Sequence, residues 1–437
     1  MTIEKQTITR PRSEQFRVFC GEKELPVYVG ADFDFVNVVS YGDEAITVTT
    51  RDVVEQVDIR PLRRRKAYEV KDAHSVAFTL ARGDYLSFEL NGNLERPLLV
   101  FSDTPKQQGV YDGANVIAFT EPGFYHVGRI ELEDHSVVYI GEGVILRGSI
   151  WADSKTDIRV FGNGYLTCDY PEDRGTNPIR FNACKNVDVC GITIVGKNQW
   201  NFILRTCRDV VVEDVKILAD EVWSDGIDIV GADNVLIRHV FVKNEDDCVC
   251  IKSSTARKSG FRGFNVHNVL VEDCVFWSGP RGNSMEIGYE TNNSVVDKVT
   301  FRNVDVIHRE TQDRKFNRCI ISIHNSGNAE IRDILYENIY AESTDENFVQ
   351  ISHMCEPDWG EGRGSMENIT VRNLTLAGGE VRPSKVSAYA CGDPEPRITR
   401  NIVFENLVIH GTHIDSCEKA RQFGFELDED NTEVRFL

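Results

Sequence analysis

A short β unit recurs at least eight times along this chain, and that repeat limits the possible folds more than any other feature. Asn186-Val187-Asp188-Val189 leads into Gly191-Ile192-Thr193-Ile194, and Asn234-Val235-Leu236-Ile237 leads into Val240-Phe241-Val242. Further copies start at Asp209, Asn268, Lys298, Asp333, Asn368 and Asn401, about 23 to 35 residues apart. Each copy reads as two short strands joined by a tight bend. Asn or Asp marks the corner, where its side chain can satisfy turn backbone. A unit this small cannot bury its own apolar face, so successive copies must stack, which predicts an all-β solenoid, a parallel β-helix. Variable spacing between copies implies insertions on one side, where a binding cleft would form.

The first hundred residues read differently. Phe16-Arg17-Val18-Phe19, Ala45-Ile46-Thr47-Val48-Thr49 and Tyr85-Leu86-Ser87-Phe88 alternate like half-buried strands, and Asn91-Gly92 is a hairpin signal. They predict an antiparallel β-sandwich over 1–101, a linker over 102–113, and the β-helix with its chemistry over 114–437. The run Arg63-Arg64-Arg65-Lys66 is isolated in a chain of net charge −20. It reads as a solvated loop or strand edge, because such a field opposes nucleic acid and other polyanions. No stretch of eighteen apolar residues exists, so no membrane span is expected. The N-terminal MTIEKQTITRPRSEQF lacks an apolar core segment, which sets the expectation of a cytoplasmic protein. Of the twelve cysteines, Cys184, Cys190, Cys207, Cys248, Cys250 and Cys274 sit in strand patterns and read as small buried hydrophobes. None has zinc-ligand spacing, and no metal or other cofactor is expected.

The chemistry concentrates between Trp223 and Ser254. Asp225 lies in a Ser-Asp-Gly-Ile-Asp turn, and Asp246 and Asp247 follow 21 and 22 positions later. With about twenty residues per coil and roughly 4.8 Å between coils, Asp225 falls one rung from the pair. Three carboxylates so close cannot all ionise freely, so their pKa values are pushed apart. That separation lets one carboxyl serve as acid and another as base.

These residues carry a resemblance. Trp200-Asn201-Phe202, Ser224-Asp225-Gly226-Ile227-Asp228 and Asp246-Asp247-Cys248 are similar to the core of polygalacturonases, glycoside hydrolase family 28. A sandwich ahead of a solenoid resembles dextranases and isopullulanases, family 49. Both resemblances imply a right-handed β-helix and an inverting glycosidase. They imply Asp246 as the general acid, and Asp225 and Asp247 as the groups that hold and deprotonate the attacking water. Asn283 stands where family 28 has a histidine, and Ile320 where it has a lysine, although Arg318 is kept. In that family the basic groups hold the substrate carboxylate, so the departure implies a neutral glycan, with an α-glucan first.

Trp223 and Trp359 read as sugar-stacking platforms. Asp228, Lys252, Asn283, Glu286 and Arg318 complete the candidate substrate-binding set. His324 and His353 lie at strand positions that suit structural histidines. The expected partner is a carbohydrate substrate, cleaved by an inverting glycoside hydrolase. The alternatives are a polygalacturonase-like enzyme on acidic pectic oligosaccharides, a non-catalytic glycan-binding solenoid, and a calcium-dependent lyase, which would need a basic residue that is not evident beside the cluster.

Overall fold

The structure is a computed structural model that describes residues 4–6, 9–109, 114–197, 199–254, 262–310, 318–345, 347–354, 359–380, 383–390 and 393–437. Among them, 31 strands form one continuous sheet wound into a right-handed parallel β-helix. A central coil contributes three strands: Phe202–Arg205, Arg208–Glu213 and Lys216–Leu218. The repeat legible in the sequence is the second and third of these. The first wall escaped the pattern because its outward residues are covered: all four residues of Ile227–Val230 and of Val249–Lys252 are buried.

Coils pair in parallel and in register. Val210, Val235, Val269, Val299, Ile334, Ile369 and Ile402 form one buried column up the interior. Each such side chain contributes about 1.5–3 kcal/mol by leaving water. All eight repeat-start residues adopt left-handed backbone, with φ between 53° and 59°. Asparagine and aspartate reach that region at the least cost among residues with a side chain. Their side chains then bond from coil to coil. Asn234 Nδ2 donates to Asp209 at 2.7 Å, and Asn268 Nδ2 to Asn234 at 3.1 Å. A second ladder at the next corner runs Asn303, Asn338, Asn373, Asn406, at 2.8–3.0 Å per step.

Between 16 and 103 the chain builds two five-stranded sheets. Val18 and Val48 from one sheet, and Val36, Phe88 and Val100 from the other, share a core. The pairing is not wholly antiparallel as expected: Asp34–Val39 runs parallel to Leu98–Asp103. Tyr28, Phe35, Tyr85 and Phe101 on the outer face of that sheet pack on Tyr165, Leu218, Phe241 and Trp277 of the β-helix. Two buried lysines reinforce the seam, Lys216 to Asp103 at 2.7 Å and Lys243 to Asp32 at 2.5 Å.

Two expectations need correction here. Ser102 and Asp103 are not linker but the buried end of the last sandwich strand, and Lys106 beyond them is tied to Asp214 at 2.7 Å; residues 110–113 lie outside the described set. The basic run is only in part the solvated loop expected, for Arg63 and Arg65 are exposed but most of its charges are paired. Arg63 pairs with Asp305, Arg64 reaches Asp84 and Asp305, and Lys66 pairs with Asp84. Asp305 is a buried carboxylate on a β-helix coil, so Arg63 and Arg64 help dock the two parts of the chain, while Lys66 pairs within the sandwich.

Asn338 has φ 56° and bonds both neighbours in its ladder. Asn338→Val should cost about 2 kcal/mol, since left-handed backbone is strained for a β-branched residue. Asn338→Gly should cost less, because glycine loses only the side-chain bonds. Thermal unfolding of the two variants checks the order.

Candidate active site

Six strands stack to form the wall that carries the site. They are β1 (Phe202–Arg205), β2 (Ile227–Val230), β3 (Val249–Lys252), β4 (Met285–Tyr289), β5 (Cys319–Asn325) and β6 (Asn347–His353). The acidic turns enter β2 and β3. The Gly226 N–H donates to Asp247 O at 2.8 Å, and Ile227 pairs with Val249, so Asp225 and Asp247 are rung neighbours. Only glycine fits at 226, because a Cβ there would overlap the Cys248 carbonyl oxygen. Two buried asparagines clamp the turns. Asn201 Nδ2 donates to Ser224 O and Asp225 O at 3.1 and 3.0 Å, and Asn244 Nδ2 to Ser224 O and Asp247 O at 2.9 and 2.7 Å.

Each of the three carboxylates has a different environment. Lys252 Nζ lies 2.9 Å from Asp225 and 2.7 Å from Asp228, over the face of Trp200 at 3.7 Å. Burial raises the Asp225 pKa; Asp247 adds to the rise, and Lys252 opposes it. Burial disfavours the charge of Lys252, but Asp225 and Asp228 outweigh burial and hold its pKa well above the usual lysine range. Asp247 Oδ1 accepts from the backbone N–H and Nδ2 of Asn283 at 2.7 and 3.0 Å, and Asn283 Oδ1 accepts from Cys319 N at 2.8 Å. Asp246 accepts long bonds of 3.2 Å from the N–H groups of Trp223 and Asp247. Burial, then Asp225 and Asp247, push its pKa well above the carboxylate range, against the pull of Arg318 and Lys252. Its surroundings thus favour the protonated form of Asp246.

The three aspartates converge on a cavity of about 330 Å³ with Trp200, Trp223, Lys252, Tyr289, Glu290, Arg318 and Trp359 among its lining. Asn283 sits directly behind Asp247. Three candidates do not line the cavity: Asn283, Asp228 and Glu286. Asp228 is buried beneath it against Lys252, and Glu286 is buried against Ser322 Oγ and His324 Nδ1. Both point out of the coil, as strand alternation requires, yet neighbouring side chains cover them. His324 stacks on Tyr289 at 4.7 Å, and His353 bonds Thr399 at 3.0 Å. Trp200 entered the sequence reading only in the Trp200-Asn201-Phe202 motif and as one of several possible stacking tryptophans, and Tyr289 and Glu290 were not singled out at all. Tyr289 and Glu290 lie at the end of β4, where alternation stops being informative.

One group among the described residues could hold a metal: carboxylate oxygens of Asp225 and Asp247 with Cys250 Sγ lie within 4.8 Å of one another. The fit is poor. Hard cations want oxygen donors rather than a thiol, and the ammonium of Lys252 already serves Asp225.

The family model for glycosyl hydrolases family 28 matches residues 131–424. The chain belongs to that family. A probable endopolygalacturonase D from Neosartorya fischeri is 31% identical over 199 residues, 44% of this chain and 37% of that protein. A probable rhamnogalacturonase E from Aspergillus flavus is 27% identical over 228 residues, 51% and 46% of the two chains. The match thus spans less than half the length of either relative. The structure of Dex49A from Penicillium minioluteum aligns over 98% of this chain and 95% of its own, with a TM-score of 0.62 at 12% identity, a likeness of fold. The expectation of a cytoplasmic protein is overturned: the relatives are fungal endopolygalacturonases and rhamnogalacturonases, extracellular enzymes. No described helix is long and apolar enough to cross a membrane.

Lys252→Met should move the acidic limb of the pH–activity profile to higher pH, because it removes the cation that lowers the Asp225 pKa. Asp246 gives a stability test. Its folded-state pKa is raised, so its contribution is present below the unfolded carboxylate pKa of about 4 and lost as pH rises toward the folded value. Asp246→Asn has no such loss. Its Tm relative to the parent should therefore climb as pH rises above about 4, as scanning calorimetry across pH would read.

Proposed function

We propose that the chain is an inverting O-glycosyl hydrolase acting on a neutral glycosyl unit. The observation that carries this is the division of labour among three stacked carboxylates. The surroundings of Asp246 favour its protonated form, while carboxylate oxygens of Asp225 and Asp247 lie within 4.8 Å of each other, close enough for one water to bridge them. In this reading Asp246 protonates the glycosidic oxygen, and Asp225 and Asp247 orient a water and take its proton as it attacks the anomeric carbon. Lys252 keeps Asp225 available as an acceptor. Asn283 fixes the position of Asp247 by donating two hydrogen bonds to it.

A neutral glycone follows from what the cations are already doing. Lys252 is committed to Asp225 and Asp228. Arg318 donates to Tyr289 Oη at 2.7 Å and feels the carboxylates of Asp247 and Asp246. A uronate carboxylate in this cavity would meet Asp225, Asp247 and Glu290 with no uncommitted cation among the described residues, and a buried charge without a partner costs several kcal/mol. An α-glucan oligosaccharide is the first substrate to try. The second reading is hydrolysis of acidic pectic oligosaccharides. It is favoured by relatives named endopolygalacturonase and rhamnogalacturonase, and by the presence of Arg318 in the cavity, since one arginine can hold a carboxylate bidentately.

Asp246→Asn should lower kcat by at least three orders of magnitude with the fold intact, by loss of the proton donor. Asp225→Asn and Asp247→Asn should each cost orders of magnitude, with less than additive loss when combined. The released anomer, followed by NMR in the first minutes, should be inverted; retention would exclude the paired-base role. Neutral oligosaccharides should be cleaved in preference to oligogalacturonides at low and moderate salt. The opposite preference, lost in Arg318→Ala, would establish the pectic reading.

A further inference from the structure

The bend from the first wall into the second has two left-handed positions on each coil. The second position carries the Asn and Asp ladder described above. That ladder has a gap. Asn186 Nδ2 donates to Asp157 Oδ1 at 2.8 Å on one side, and Asn234 Nδ2 to Asp209 at 2.7 Å on the other. Between Asn186 and Asp209 the step has no donor, because Asn186 spends its amide on Asp157 and a carboxylate has no N–H to give. The first left-handed position does not fill the gap. On four successive coils it is Ser154, Ala183, Thr206 and Gly231, with φ between 51° and 60°. They stack through backbone alone: Ala183 N donates to Arg205 O at 2.7 Å, and Thr206 N to Val230 O at 3.0 Å.

Between the two left-handed positions, on the coils that flank the gap, lie Cys184 and Cys207. Lys185 pairs with Arg208, and Arg208 N donates to Cys184 O at 2.9 Å, so the cysteines occupy matched positions on neighbouring coils. Among the described cysteines no other two do so. Both are 1% exposed and belong to the interior core. Their thiols lie within hydrogen-bond reach of each other. Their other partners are backbone carbonyls, Asn182 O for Cys184 and Phe181 O for Cys207, each at 3.3 Å. Matched residues on neighbouring coils are about 4.8 Å apart, inside the Cα separation of about 4.4–6.8 Å that a disulfide spans. The contact also makes the thiols unequal. It lowers the Cys184 pKa against the effect of burial and raises that of Cys207, where burial adds to the rise. The thiolate is the nucleophile, so Cys184 attacks first.

We propose that Cys184 and Cys207 form a cross-linking site, whose disulfide staples two coils at the step where the corner ladder is broken. Cys184 attacks a low-molecular-weight disulfide such as oxidised glutathione, breaks its S–S bond and releases one thiolate. Cys207 then gives up its proton and attacks Cys184 Sγ in the mixed disulfide, releasing the second. Two protein thiols are oxidised, the external disulfide is reduced to two thiols, and the protons leave on those thiols. Both sulfurs are covered in the closed coils, so exchange belongs to the folding chain or to opened coils. The bond persists only in an oxidising setting. The coil of Cys207 also supplies Asn201, whose amide clamps the Asp225 turn, so the staple secures the coil next to the acidic cluster.

The full chain is incubated in mild urea, which opens coils, with oxidised glutathione or with dithiothreitol, and returned to buffer. Free thiols are then blocked, and each sample is digested with trypsin without reduction. Mass spectrometry of the oxidised sample should show peptide 181–185 joined to peptide 206–208, lighter than the two together by a pair of hydrogens. Its Tm should exceed that of the reduced sample by about 3 °C. That difference should vanish in Cys184→Ser and in Cys207→Ser, and should survive in Cys20→Ser on the sandwich. If the serine variants fail to fold, the peptide map of the parent decides alone. Cys184 and Cys207 recovered as blocked free thiols from the oxidised sample overturn the proposal, as does either one joined to a different cysteine. Equal Tm for oxidised and reduced samples, with the linked peptide present, overturns the stapling role. None of these readouts involves turnover, so they stand apart from the hydrolase reading.

Discussion

Everything in this molecule depends on coil-to-coil backbone hydrogen bonding held in register over the whole solenoid. A parallel rung has no hairpin to set its register, so corners must do so. Here the corners are left-handed residues, mostly Asn and Asp, whose side chains bond the matching corner one coil away. A slip by one residue would put the buried Val and Ile column outside. The corner ladders and the interior column thus enforce the same register from opposite sides of the backbone.

That register creates the site. A shift of one position would replace Asp225 opposite Asp247 with a neighbour and dissolve the cluster. Instead the turn peptides interlock, with Asn201 and Asn244 bonding the carbonyls of both turns. Electrostatics then separates the carboxyls. Asp225 is given a lysine, Asp247 an asparagine that donates twice, and Asp246 only long backbone bonds and two acidic neighbours. Identical side chains meet different surroundings because burial and partners differ at each of them.

The sandwich is joined to the coils by chemistry that would be costly if left unpaired. Lys216, Lys243, Asp103 and Asp305 are all nearly inaccessible to solvent, and each meets an opposite charge across the seam. Removing one partner would strand a buried charge. The aromatic layer around Tyr85, Phe101, Phe241 and Trp277 supplies the apolar part of the same contact. This seam lies on the wall formed by the third strand of each coil, away from the wall that carries the aspartates.

The sequence alone determined the solenoid, the sandwich ahead of it and the three aspartates, because each is written as a local pattern: alternation, corner residues at a fixed period, and carboxylates one coil apart. It also carried the family resemblance, since that rests on short contiguous motifs. What only the tertiary structure decided was which outward residues meet solvent. Glu286 and Asp228 point out of the coil yet are covered, while Tyr289 and Glu290 reach the cavity from a strand end. The basic run at Arg63 looked solvent-facing, yet most of its charges are paired, with Asp305 and Asp84. Strand alternation tells which side of the backbone a residue takes. Whether that side is covered depends on chain segments from one coil to hundreds of positions away, and no local pattern encodes it.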